Sequence, residues 1–156
     1  MQAATFIFRG KMSKRVKIIT ESFVCELDDS GLVESSDKSR SESIGSYTVI
    51  DGGFTISYRE SIGDTDTDPT DTELIYKDGN AVLKRRGSVI CDLEFREGEK
   101  TVSVYTVPPY SFDTVIHTKR LRAELLDGKA TVSILYDMEI GGAKKNVRMK
   151  IAVTEL

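Results

Sequence analysis

Apolar side chains in this chain return at every second position, in one segment after another. Val16 and Ile18 alternate with Arg15 and Lys17, and Phe54, Ile56 and Tyr58 alternate with Thr55, Ser57 and Arg59. Leu74 and Tyr76 follow the same rule, as do Val89, Cys91, Leu93 and Phe95. So do Val132, Ile134, Tyr136 and Met138, and then Val147, Met149, Ile151 and Val153. Period two is the strand period, because successive side chains of a strand point to opposite faces. In most segments one face is polar and the other apolar. That pattern predicts an antiparallel sheet, since strands buried on both faces read as unbroken apolar runs.

The punctuation fits short strands joined by tight turns. Asp78-Gly79 joins Glu73–Lys77 to Ala81–Arg85 and is a dipeptide suited to a type I′ hairpin turn. Asp51-Gly52-Gly53, Glu97-Gly98, Asp127-Gly128 and Gly141-Gly142 separate other apolar alternations. About nine short strands at regular spacing predict an up-and-down barrel or a sandwich. Lys119–Leu126 (KRLRAELL) consists of good helix formers, but eight residues are too few for an isolated helix, which needs roughly 12–15. It is read as a strand with Leu121, Ala123 and Leu125 inside.

Three stretches lack the alternation. Asp28–Ser46 holds seven serines and five acidic residues, and Ser61–Asp71 reads SIGDTDTDPTD. Both are expected to be polar loops, 28–46 as a mobile excursion between strands. In Met1–Met12 the apolar piece Ala3–Phe8 is shorter than the ~7–15 residues of a signal-peptide core, and no charged stretch precedes it, so export is not expected. Thr5–Phe8 reads either as a short added strand or as part of a tail, and Met12-Ser-Lys-Arg would itself serve as a start. The 156 residues are the size of one domain, and no internal repeat or linker divides them.

Charge and cysteine usage narrow the function classes. A net charge of −3 and a pI of about 5.3 predict no bulk attraction to nucleic acid or anionic lipid. No apolar run approaches the ~18 residues of a membrane-spanning helix. Cys25 and Cys91 are far apart, with no CxxC pair and a single histidine, His117, so they are read as reduced thiols of a cytoplasmic protein. No cofactor or metal is expected. Asp64, Asp66 and Asp68 begin like a calcium loop, but Pro69 and Ile75 stand where an EF-hand needs Gly and Glu. His117 lies opposite in parity to Phe112, Thr114 and Ile116, outside any GxSxG context, and is read as a surface histidine.

One charge is out of place. In Lys84-Arg85-Arg86, Arg85 shares its face with Ala81 and Leu83, which puts it inside, while Lys84 and Arg86 go with Val82. A guanidinium there must be paired or must hold an anion. Glu60, in phase with Ile56 and Tyr58, is the expected partner. The second basic cluster, Lys119-Arg120-Leu121-Arg122, has no aromatics interleaved with it and is not read as a nucleic-acid strip.

From residue 56 onward the order of features resembles a known family. It runs Ile56-Ser57-Tyr58-Arg59-Glu60, Thr72 with Leu74, Asp78-Gly79, Leu83-Lys84-Arg85-Arg86-Gly87 and Leu93-Glu94-Phe95. Tyr105-Thr106-Val107-Pro108-Pro109-Tyr110, then Thr118 and Leu121, and Val132-Ser133-Ile134-Leu135-Tyr136 complete it. This resembles the YwiB-like family of small, mostly Gram-positive cytosolic proteins of unknown function, similar in fold to the calycins (lipocalin and fatty-acid-binding-protein barrels). The chain departs from the family at Tyr110-Ser111, where an aromatic followed by Gly is usual, and in the length of Asp28–Ser46.

The resemblance implies an all-β, antiparallel up-and-down barrel of about 8–10 strands, and no established reaction. An eight-stranded barrel has room inside for side chains or one small ligand. The leading expectation is therefore a non-catalytic protein holding a small molecule in the barrel mouth. Tyr58, Glu60, Arg85 and Thr106 would supply polar contacts, and Tyr136 part of the wall. The alternative is a structural or partner-binding barrel with a filled interior, as monomer or dimer. An enzyme using Glu60 beside Arg85 for acid–base work comes third.

Overall fold

A computed structural model describes residues 13–60 and 69–156. Ten strands follow one another along the chain, with no helix among the described residues: β1 (Ser13–Leu27), β2 (Val33–Ile50), β3 (Gly53–Glu60), β4 (Thr70–Lys77), β5 (Asn80–Arg86), β6 (Cys91–Phe95), β7 (Lys100–Val107), β8 (Tyr110–Leu126), β9 (Lys129–Ile140) and β10 (Ala143–Glu155). They form one antiparallel sheet in the order β6-β5-β4-β3-β2-β1-β10-β9-β8-β7. The end strands β6 and β7 curl toward each other. Ile90 N–H donates to Thr106 O at 2.8 Å, and Thr106 N–H donates back to Ile90 O at 2.9 Å. The result is a nearly closed barrel, as the family resemblance implies, and it decides between the barrel and the sandwich that the alternation allows.

The predicted inner faces are the buried ones. Val16, Ile18, Phe54, Ile56, Leu74, Leu83, Leu93, Phe95, Val132, Ile134 and Ile151 all sit in the core. Tyr47 stacks on Phe54 with ring centroids 5.1 Å apart, and Phe95 meets Tyr136 at 4.8 Å. Asp78 and Gly79 both have positive φ (51° and 83°), as a type I′ turn requires.

Residues 119–126 are strand, within β8. Inward parity changes along that strand, from Thr114, Ile116 and Thr118 to Leu121. A register shift between Thr118 and Arg120 makes this possible. The extra residue of a β-bulge flips every later side chain to the other face. The β6–β7 turn fills the notch: Glu97 Oε1 accepts from Leu121 N–H at 2.8 Å, and Gly98 N–H donates to Thr118 O at 2.8 Å.

The reading of 28–46 as a loop is corrected: only the turn at Asp28–Leu32 is irregular, and Val33–Ser46 belongs to β2. It pairs with β1 from Leu27↔Val33 to Ser13↔Thr48. Residues 33–42 are solvent-exposed on both faces, so no apolar alternation marks them. The strand is held by the backbone ladder and by cross-strand polar pairs. Ser22 and Ser39 hydroxyls meet at 2.6 Å, Ser35 donates to Glu26 at 3.0 Å, and Lys17 pairs with Glu42 at 2.8 Å. Among the described residues β3 joins β2 only from Ser46 onward, so the earlier part is an edge. Serines and charges keep such an edge from pairing with another chain.

The N-terminal residues 1–12, with Thr5–Phe8, lie outside the described residues, as do 61–68 with the three aspartates read as a calcium-like start. Thr70 and Asp71, read as the end of the second loop, open β4 instead.

Candidate functional site

Three neighbouring strands deliver the interior charges. Glu60 ends β3, Thr72 lies near the start of β4, and Arg85 is on β5 directly across from Thr72. Arg85 Nε donates to Glu60 Oε1 at 2.9 Å, and Thr72 Oγ1 donates to the same oxygen at 2.8 Å. The two charged side chains are only 19% and 11% exposed, whereas the other ion pairs among the described residues are substantially more open.

Tyr58, Cys91, Tyr105 and Tyr136 surround this pair. Burial works against the Arg85 cation. Glu60 and the adjacent Tyr105 and Tyr136 oxygens outweigh it, so the guanidinium is held more firmly protonated than usual. Burial lifts the Tyr58 phenol above its ordinary range, with Glu60 adding to the effect. Burial also pushes Tyr136 up to about 12 and raises the Cys91 thiol and Tyr105, with Arg85 opposing each rise.

Four of the five expected site residues, Tyr58, Glu60, Arg85 and Tyr136, converge here. Thr106 does not. Its hydroxyl pairs with Ser111 at 2.9 Å on the exposed side of the β7–β8 hairpin, and Tyr105 faces Arg85 in its place. The cause is an inverted strand. On β7 the polar Thr101, Ser103 and Tyr105 are half-buried, while Val102 and Val104 are 77% and 52% exposed. A rule that puts apolar residues inside therefore assigns this strand the wrong phase.

Thr72 and Cys91 were also missed as members, although each shares parity with an apolar neighbour, Leu74 and Leu93. Their phase was legible, and their meeting at Arg85 depends on strand order. His117 is half-buried on the outer parity, and Cys25 and Cys91 are free thiols. No cluster of His, Cys, Asp or Glu able to hold a metal exists among the described residues.

Neither Glu60 nor Arg85 lines the best-formed surface concavities of the described residues. One, of about 850 Å³, runs across β2, β1, β10, β9 and β8. Inside the barrel, Ser103 Oγ and Thr118 Oγ1 are buried without a hydrogen-bond partner among the described residues.

Residues 28–151 match the family described as "Domain of unknown function (DUF1934)". The chain belongs to that family. The fold is similar to that of the crystal structure of the ywiB protein from Bacillus subtilis, with a TM-score of 0.76 over 92% of this chain and 93% of that one. Identity is 22%, so this likeness speaks to the fold alone. No curated protein matches the chain. The protein is thus a DUF1934 β-barrel whose family carries no assigned activity.

Proposed function

We propose that this DUF1934 protein is a non-catalytic binding barrel, filled by its own side chains and meeting its partners on the outer wall. One observation carries the reading: the interior charges satisfy each other. Glu60 accepts from both Arg85 and Thr72, so each interior charge already has its opposite beside it. Glu60 held in this way is a poor acid–base catalyst, because a general base must reach its substrate's proton. The outer wall, by contrast, presents Val102, Val104 and Ile90 to solvent at the β6–β7 seam, together with the large groove. The free thiols of Cys25 and Cys91 support a reducing, cytoplasmic setting.

A small ligand in the barrel is the second reading, favoured by the partnerless hydroxyls of Ser103 and Thr118. Native mass spectrometry of protein purified from its own host separates the two. The expected result is the mass of the bare chain. A small molecule that copurifies and is lost on unfolding would overturn the filled-barrel reading.

A further inference from the structure

The outer wall of the long strands gathers positive charge that the net charge of −3 conceals. In one cross-strand row Lys38, Phe23, Arg148, Leu135 and Arg120 stand side by side on β2, β1, β10, β9 and β8. The next row holds Arg40, Glu21 and Lys150. With strands about 4.8 Å apart, such a row spans about 19 Å. Both rows border the groove of about 850 Å³, whose only carboxylate among the described residues is Glu21.

Two of these cations are engaged. Arg40 contacts Glu42 at 3.1 Å, and the Lys38 ammonium lies 5.5 Å from the centre of the Phe23 ring. Arg120, Arg148 and Lys150 have no carboxylate within ion-pair distance among the described residues. Three like charges converging on one concavity repel each other, and an anion that spans them relieves the repulsion. Arg120 and Arg148 offer the planar fork that suits phosphate. Between them the groove has an apolar floor of half-buried Phe23 and Leu135. A phosphate chain needs the cations. Unpaired bases on a phosphate chain bring both the charge and flat faces to lay on that floor, and a positive groove with an aromatic platform is how single strands are bound without sequence preference.

We propose that this groove binds single-stranded nucleic acid, with phosphates on Arg120, Arg148 and Lys150 and a base against Phe23. The proposal deepens the outer-wall reading and rests on it.

The test is fluorescence anisotropy of a fluorescein-labelled oligouridine of about 12 nucleotides, read at about 50 and about 200 mM salt. Binding at the lower salt, weakened roughly tenfold or more at the higher, is expected. Arg148→Glu with Lys150→Glu should weaken it at least about tenfold. Lys77→Glu with Lys84→Glu, which changes charge equally on the β4–β5 wall, should leave it unchanged. Circular dichroism melts confirm that each variant folds, and Phe23→Ser provides a test that keeps the charge. Phe23→Ser should weaken oligouridine binding and spare heparin, a polyanion without bases.

No binding at low salt would overturn the proposal, as would equal loss in the Lys77/Lys84 control. Indifference of oligouridine to Phe23→Ser would reduce the groove to a general polyanion surface, and tighter binding of polyglutamate would assign it to an acidic protein. Either result overturns the nucleic-acid assignment. A copurifying interior ligand seen by native mass spectrometry would instead sink the filled-barrel reading and leave the anisotropy result standing.

Discussion

Arg85 is a cation that the strand period places inside a barrel, and Glu60 with Thr72 makes that position tolerable. Each charge gave up hydration on folding, and their attraction offsets that cost only while both are present. Arg85→Met is expected to destabilise the protein by about 3–5 kcal/mol, because Glu60 is then buried alone. Combining it with Glu60→Gln should recover much of the loss. Urea denaturation of both single variants and the double variant measures the coupling. Lys84→Ala, on the outward parity of the same strand, should stay within about 0.5 kcal/mol. A small, additive set of effects would show that the pair contributes little to folding.

At the level of the element, β2 performs two tasks in sequence: it is an exposed edge up to Ile44 and a wall strand from Ser46. Gly45 sits at the change. A Cβ there would collide with the Ser57 carbonyl oxygen and would lie 2.6 Å from Ile18 Cδ1 and 3.0 Å from Tyr58 Cβ. The close approach brings β3 alongside β2 and sets Tyr58 in the interior. Gly45→Ala should therefore cost about 1–3 kcal/mol, the range for overpacking, whereas Ser43→Ala two positions earlier should be nearly silent. Chemical denaturation midpoints compare them. Equal midpoints would mean that the backbone at this crossing yields easily. The bulge in β8 is the matching device on the other half of the barrel, where one extra residue lets Ile116 and Leu121 both face inward.

For the whole molecule, the buried tyrosines make alkaline pH the informative perturbation. Burial pushes Tyr47 up to about 12, and burial, partly offset by Arg85, does the same for Tyr136. The folded state keeps these phenols protonated at a pH where the unfolded chain, with phenols near 10, has begun to release them. Their contribution is complete below about pH 10 and is lost as pH rises toward about 12, at about 1.4 kcal/mol per pH unit for each phenol. Stability from urea melts at a series of alkaline pH values should fall in that window, and Tyr136→Phe should reduce the slope. Stability unchanged up to about pH 12 would show that these hydroxyls reach solvent.

What the sequence determined by itself was whatever period-two alternation can carry. It identified the strand class, the tight turn at Asp78-Gly79, the inner faces of β3, β5, β6, β9 and β10, and the inward placement of Arg85 with Glu60 as its partner. These follow from local geometry, since side-chain direction along a strand depends only on position. The tertiary structure decided what alternation cannot express. It made a strand of Val33–Ser46, whose hydrogen bonds come from β1 rather than from burial. It inverted β7, so that Tyr105 rather than Thr106 meets Arg85. It also aligned Arg120 of β8 with Arg148 and Lys150 of β10 along one groove. Each of these outcomes depends on which strand lies beside which and in what register. Alternation within one strand carries no information about its neighbours: β2 on β1 and β8, β9 and β10 side by side are register choices between consecutive strands, and Tyr105 reaches Arg85 only where β7 closes on β6.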